Sequence, residues 1–242
     1  PHGRRQANSD EAPGRAEAPP APDTDPRLGH AGTLVAEWHR NRCAGPLLLC
    51  GETGTGKRHL LYQHCRDHGI GMPLLELDGR SLAARAQAGR DELEDALRQT
   101  ENDLLYLTDV DLLPAEARSR LFEAAGASRR IVAASRHPLA LEAESGLDQA
   151  TLARYRAHVV TLPALRERTD FAQLVHRFVH EACPGRPIRV LPEAIDRLRR
   201  YPWPGNISEL ASRLRLMLAL LGDDSTELRP DDIPDELLET AV

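Results

Sequence analysis

The sequence predicts an α/β fold: a mostly parallel sheet with helices on both faces, followed by a small helical unit. Three observations carry this. Short apolar runs alternate with helical patterns over residues 27–168, as a parallel sheet with crossover helices requires. One run, Pro46 to Cys50 (PLLLC), passes straight into the glycine-rich turn Gly51-Glu52-Thr53-Gly54-Thr55-Gly56-Lys57, which opens a helix. After Arg168 the strand-like runs stop and only helical periodicity continues.

The elements follow in order. Pro1 to Pro26 is rich in Pro and Ala (Glu17-Ala18-Pro19-Pro20-Ala21-Pro22) and has too little to bury to offset its ordering entropy. It is expected as a disordered tail or linker, and the lack of Met at position 1 predicts a fragment or a processed chain. Thr33 to Arg40 reads as a helix buried through Leu34, Val35 and Trp38. PLLLC is a short continuous apolar run, the pattern of a strand covered on both faces. A helix from Lys57 to Asp67 follows, then a strand at Pro73 to Leu77 and a helix at Asp91 to Gln99. Asp103 to Thr108 (DLLYLT) is a third strand, and Pro114 to Ala125 a helix with proline in its first turn. Arg130 to Ser135 and His158 to Leu162 complete the strands of the core, residues 27–168.

Beyond it, helices are expected at Thr169 to Ala182, at Pro192 to Arg200 and from Asn206 onward, forming a helical lid over residues 169–224. In the last helix Ile207, Leu210, Leu214, Met217, Leu218 and Leu221 share one stripe. Asn206 and Glu209 stand at capping-box spacing. Residues 225–242 read as an acidic tail.

Composition removes several functions. The net charge of −6, from 31 Lys and Arg against 37 Asp and Glu, argues against a protein whose main work is coating nucleic acid. The Arg197-Arg199-Arg200 group reads as a solvated helix face, and the chain after Leu221 is too short for a helix-turn-helix, so direct nucleic-acid binding is not expected. Four cysteines stand far apart without metal-ligand spacing, which predicts buried reduced thiols. No apolar run reaches the ~20 residues of a membrane span, and no signal peptide opens the chain. The expected location is the cytoplasm.

The glycine-rich turn carries the chemistry. Gly51, Gly54 and Gly56 let backbone N–H groups turn inward around phosphate oxygens at the positive end of a helix. Lys57 can reach the outer phosphates of a nucleotide. With Glu52, Thr53 and Thr55 these residues form the expected cofactor cradle, a P-loop. Arg58 stands where a magnesium-holding Ser or Thr is usual. It is either a solvent-facing first-turn residue or a second cation for the phosphates.

Three segments together carry a family resemblance: Gly51 to Lys57 (GETGTGK), Leu162 to Arg168 (LPALRER), and Tyr201 to Asn206 (YPWPGN) followed by Glu209-Leu210. In this order they resemble the central AAA+ domain of sigma-54-dependent transcriptional activators, over about Arg27 to Leu237. The resemblance implies a P-loop AAA+ core, a three-layer α/β domain with a small C-terminal helical lid, and ATP or ADP as cofactor, with magnesium left open. That family hydrolyses ATP in rings and remodels RNA polymerase through a GAFTGA loop.

Much of that machinery has no counterpart here. No such motif lies between Leu77 and Asp103. Where the family has Asp-Glu after the third strand, this chain has Thr108 and Asp109. A one-residue slip instead makes Asp109 the metal ligand and puts Val110 at the catalytic glutamate. Asp109 is thus the candidate for both catalysis and metal binding. Arg154 matches the second arginine finger, or is a solvated helix residue, and the first finger falls on Asp148. Ser135, beside Arg136, keeps the sensor hydroxyl, while Ser208 replaces the lid arginine. The expected function is a degenerate module that binds ATP or ADP with little or no hydrolysis. It would act through a protein partner, either another copy or a transcription regulator. A slow ring-forming ATPase, and a nucleotide-free scaffold with Arg58 in the phosphate site, are the alternatives.

Overall fold

The computed structural model describes residues 25–41, 45–69, 75–100, 104–125, 130–136, 158–222 and 225–235. Among these, the core comprises α1 (Pro26–Arg40), β1 (Leu47–Cys50), α2 (Lys57–Asp67), β2 (Leu75–Asp78), α3 (Gly79–Ala84), α4 (Ala86–Gln99), β3 (Leu104–Thr108), α5 (Ala115–Ala124), β4 (Arg130–Ser135) and β5 (Val159–Thr161). The lid comprises α6 (Phe171–Ala182), β6 (Arg189–Val190), α7 (Pro192–Arg199), α8 (Asn206–Leu220) and β7 (Glu227–Leu228).

The core sheet has the order β2-β3-β4-β1-β5, with every neighbouring pair parallel. Alternation along β1 explains why it is apolar throughout. Leu47 and Leu49 pack with Leu28, Val35, Trp38 and Leu61 beneath α1 and α2. Leu48 and Cys50 point the other way, toward Leu97, Leu121 and Phe122 of α4 and α5. With side chains alternating and both faces covered, each fully buried leucine contributes about 2 kcal/mol. The α/β parallel expectation is met, and a three-layer P-loop fold results. Cys50 and Cys65 are buried free thiols, and burial pushes Cys50 up to about 12. Cys43 lies outside the described residues.

The structure departs from the sequence reading at four places. The first helix begins at Pro26, seven residues before Thr33, because Asp25 caps it by accepting from the Arg27 N–H at 3.0 Å. The expected boundary therefore moves, and Asp25 and Pro26 belong to the folded part. A short helix, α3, follows β2, capped by Asp78 through the N–H groups of Arg80 and Ser81. The next helix, α4, starts at Ala86, whose φ of +45° breaks the run. Residues 169–224 are not helical alone, since β6 pairs in parallel with β7. And the expected acidic tail is structured over residues 225–235: Leu228 and Ile233 are 0% and 1% exposed and sit in the lid core with Leu198, Trp203 and Leu214. The charges around those two residues conceal them in a composition count.

The core and lid meet at a compact junction. Asp25 is 1% exposed and holds the Arg27 guanidinium through both oxygens, at 3.0 and 2.8 Å. That pair holds its carboxyl far below the usual carboxylate range. The same carboxylate accepts from the Thr169 N–H at 3.1 Å. Beside it, the Arg168–Asp170 ion pair is buried, with Nε donating at 2.8 Å. No helix among the described residues is long and apolar enough to cross a membrane.

Candidate phosphate-binding site at the lid junction

The strand β1 delivers the P-loop to the C-terminal edge of the sheet, where α/β proteins place their ligands. Cys50 is flanked there by Ser135 and Thr161, and the Gly51 N–H donates to the Ser135 carbonyl at 3.2 Å. Gly54 and Gly56 have φ of +79° and +97°, a region that favours glycine. Gly56 caps α2 without any side-chain bond, so first-turn N–H groups face the loop. Thr55 is 2% exposed, and its hydroxyl closes the loop by donating to the Glu52 carbonyl at 2.9 Å.

Lys57 folds its ammonium onto the Gly51 and Glu52 carbonyls, at 2.5 and 2.9 Å. Burial is the largest influence on it and pushes its pKa down, opposed by the Asp109 charge. A cation held on loop carbonyls in this way is placed to exchange them for phosphate oxygens.

Two clefts flank the loop. One, of about 700 Å³, is lined by Lys57, Arg58, Tyr106, Thr108, Asp109 and Ser208. Asp109 follows β3 directly with φ of +46° and lies 3.7 Å from Arg80 Nε. The Thr108 hydroxyl donates to Asp78 at 3.3 Å. Arg58 stacks 5.0 Å from the Tyr62 ring and donates to Glu76 at 3.2 Å, so its charge is already paired beside that cleft. Ser135 is buried at the end of β4. Arg154 and Asp148 lie outside the described residues. Among the described residues no group of three or more His, Cys, Asp or Glu could hold a metal ion.

The other cleft, of about 570 Å³, lies between α1, α2 and the lid, lined by Leu28, Leu60, Leu162, Phe178 and Ile207 among others. Here the lid is joined to the P-loop itself. The Ile207 and Ser208 N–H groups donate to the Gly54 carbonyl at 3.0 and 3.4 Å. A Cβ on Gly54 would lie 2.1 Å from the Gly205 carbonyl oxygen, so only glycine permits this approach.

Asn206 completes the joint, and the capping box expected of it is not what forms. Glu209 does reach back, accepting from the Gly205 N–H at 2.8 Å. Asn206, however, makes no cap bond. Fully buried with φ of +53°, it donates to the Thr53 carbonyl at 2.9 Å and to Glu52 at 3.1 Å, and accepts from the Leu165 N–H at 2.8 Å. Glu52 also takes both ends of the Arg166 guanidinium, at 2.9 and 2.5 Å. The P-loop, the LPALRER segment and the lid thus share one network. Arg166 and the Asn206 role were not singled out from sequence. Their signal was present, since both lie in the two quoted motifs at positions that no core stripe explains.

Comparison with known proteins agrees with this fold. Residues 166–242 match the AAA+ ATPase lid domain. The chain is 31% identical over 227 residues to the DNA-binding transcriptional regulator NtrC of Azospirillum brasilense, covering 79% of this chain and 46% of that protein. It is 29% identical over 222 residues to the acetoin catabolism regulatory protein of Cupriavidus necator, covering 79% and 33%. The chain therefore spans less than half the length of these relatives. NtrX of Brucella abortus, solved with ATP, has the same fold, with a TM-score of 0.67, 20% identity, and coverage of 92% of this chain and 58% of that one. The chain thus has the P-loop AAA+ fold with an AAA+ lid, and its sequence relatives are sigma-54-dependent transcription regulators.

Proposed function

We propose that this chain is a nucleotide-holding AAA+ module that binds ATP or ADP with little turnover and acts through protein contacts in transcription control in the cytoplasm. One observation carries the reading: the cradle from Gly51 to Lys57 is complete and tied to the lid, whereas the end of β3 offers only Thr108 and Asp109. Thr108 is engaged by Asp78, and Asp109 has a shorter arm than the glutamate that the family uses to orient water. Positioning of this kind contributes ~10²-fold or more in a phosphoryl-transfer site. On the lid, Ser208 lines the cleft without a charge. Between Leu77 and Asp103, where the family inserts its remodelling loop, the chain forms α3 and α4 and carries no GAFTGA motif. A magnesium ion would depend on Asp109 and on the nucleotide's own phosphates.

Support for the ligand comes from the NtrX fold relative, which was solved with ATP and with ADP. Support for the setting comes from relatives that are transcription regulators. The partner is a protein, either a second copy or another regulator. The scaffold alternative is disfavoured, because Arg58 is engaged by Glu76. Slow hydrolysis remains the second reading, since Asp109 shares a cleft with Lys57 and Arg154 is available in the sequence to act on a neighbouring copy.

A titration of a fluorescent ATP analogue with and without magnesium, followed by phosphate-release measurement, tests this. The expected result is saturable binding that Lys57→Ala abolishes, with negligible release. Clear turnover lost in Asp109→Asn would establish the slow ATPase instead, and no binding at millimolar nucleotide would sink both.

A further inference from the structure

The two clefts that flank the P-loop are not independent of each other. Gly54, Gly56, His59 and Ser208 line both of them, so they open onto one phosphate cradle. At about 570 and 700 Å³, each has the size of a small-molecule site in its own right. The lid-side cleft, walled by Leu28, Leu60 and Phe178, suits the apolar faces of one nucleoside. A mononucleotide placed there, with its phosphates in the cradle, leaves the larger cleft without an occupant.

That larger cleft, between α2 and β3, has a lining of its own character. Tyr62 stands one turn beyond Arg58 on α2. The Arg58 guanidinium lies 5.0 Å over the Tyr62 ring and is held by Glu76, which makes a flat and pre-set surface. Tyr106 enters from β3. Its ring packs in the core with Leu61 and Val132, and the residue is only 1% exposed. Its hydroxyl nevertheless has no hydrogen-bond partner among the described residues. Burial pushes this phenol up, and the Glu76 charge adds to the effect, so it stays protonated and able to donate. An unpaired hydroxyl with so little access to water is costly. Phenylalanine would fill the same core space without that cost.

We propose that the cleft between α2 and β3 seats a second nucleoside, so that the chain binds a dinucleoside polyphosphate across both flanks of its P-loop. The inference rests on the nucleotide-binding reading above. One nucleoside occupies the lid-side cleft, and the phosphate chain runs through the cradle past Lys57, which lines the larger cleft. The second base stacks on the Arg58–Tyr62 surface, as bases do on aromatic rings and guanidinium planes. A polar atom of that nucleoside gives the Tyr106 hydroxyl the partner it lacks.

Calorimetric titration of the 242-residue chain with diadenosine tetraphosphate and, separately, with adenosine tetraphosphate tests this, since the latter lacks the second nucleoside. The dinucleotide is expected to bind about tenfold more tightly, the gain of one stacked base. Tyr62→Ala is expected to erase that preference and to leave ATP affinity within about twofold, because only the second base is stacked there. Tyr106→Phe keeps the ring and its packing, and is expected to shrink the preference about threefold through loss of one hydrogen bond. Equal affinity of the wild type for the two tetraphosphates overturns this proposal alone, as does a preference that survives in Tyr62→Ala. Should Tyr62→Ala fail to fold, an unchanged preference in Tyr106→Phe is the overturning result. A wild-type chain that binds no nucleotide overturns it together with the reading beneath it.

Discussion

On the lid side of the P-loop, Gly54, Thr53 and Glu52 are each bonded across to α8. On the β3 side, by contrast, Asp109 stands 3.7 Å from an exposed arginine and Thr108 is turned to Asp78. The first flank is hydrogen-bonded around the buried Asn206 and intolerant of added atoms, and the second is open and sparsely paired. Buried polar groups hold position because leaving them unpaired is expensive, whereas exposed pairs hold little. The difference teaches that the chain has invested its fixed geometry in joining the lid to the loop. Thr108 and Asp109, to which the proposed function gives no efficient hydrolytic role, are held by exposed pairs alone.

Several substitutions break or sharpen this contrast. The largest effect is expected from Gly54→Ala. Its Cβ meets the Gly205 carbonyl and its φ is strained, so about 3 kcal/mol or more is lost. Urea unfolding would measure this, and a change within error would show that the lid is not seated on the loop. Next comes Asn206→Ala, which strips partners from the buried Leu165 N–H and Thr53 carbonyl. A loss of about 2–3 kcal/mol is expected, with faster amide exchange at Leu165.

A smaller loss is expected on acidification, from the α2 residue His64 that lines the lid-side cleft. Burial is the main cause that lowers it from 6.5 to about 4, with His68 and His39 adding to the effect. The folded form thus binds its proton more weakly than the unfolded one. The stability contributed is complete above pH 6.5 and is lost as pH falls toward 4. Melting temperatures of wild type and His64→Leu across that interval check this, and equal slopes would refute it. The smallest effect belongs to Arg166→Ala. Although it grips Glu52, the guanidinium is exposed and screened, and Glu52 keeps Asn206. No resolvable shift in unfolding midpoint is expected, and a large one would mean that the exposed pair helps to seat the lid.

Much of the core was legible because its strands are short apolar runs and its loop has a spacing that chemistry dictates. The helix at Lys57–Asp67 and the strand at Arg130–Ser135 match the structure residue for residue. What escaped was settled by single residues acting at a distance. Asp25 starts a helix that Gly29 and Gly32 disguise, and Leu228 and Ile233 anchor a segment whose charges dominate its composition. Asn206 has the spacing of a local cap, yet its partners lie over 40 residues or more away in sequence. Asp111, whose side chain is buried against Arg136, carried no signal at all: an acidic residue in a turn looks the same whether it is solvated or buried beside an arginine.

The Asp25 clamp has a mechanical consequence. Where the chain enters the first helix and where it leaves the core for the lid are 144 positions apart in sequence, yet they share one carboxylate. The backbone at Asp25 and the backbone at Thr169 are therefore joined without passing through the sheet. The lid is hung from the same pin that fastens α1, and a torque applied at one end of that pin turns the other.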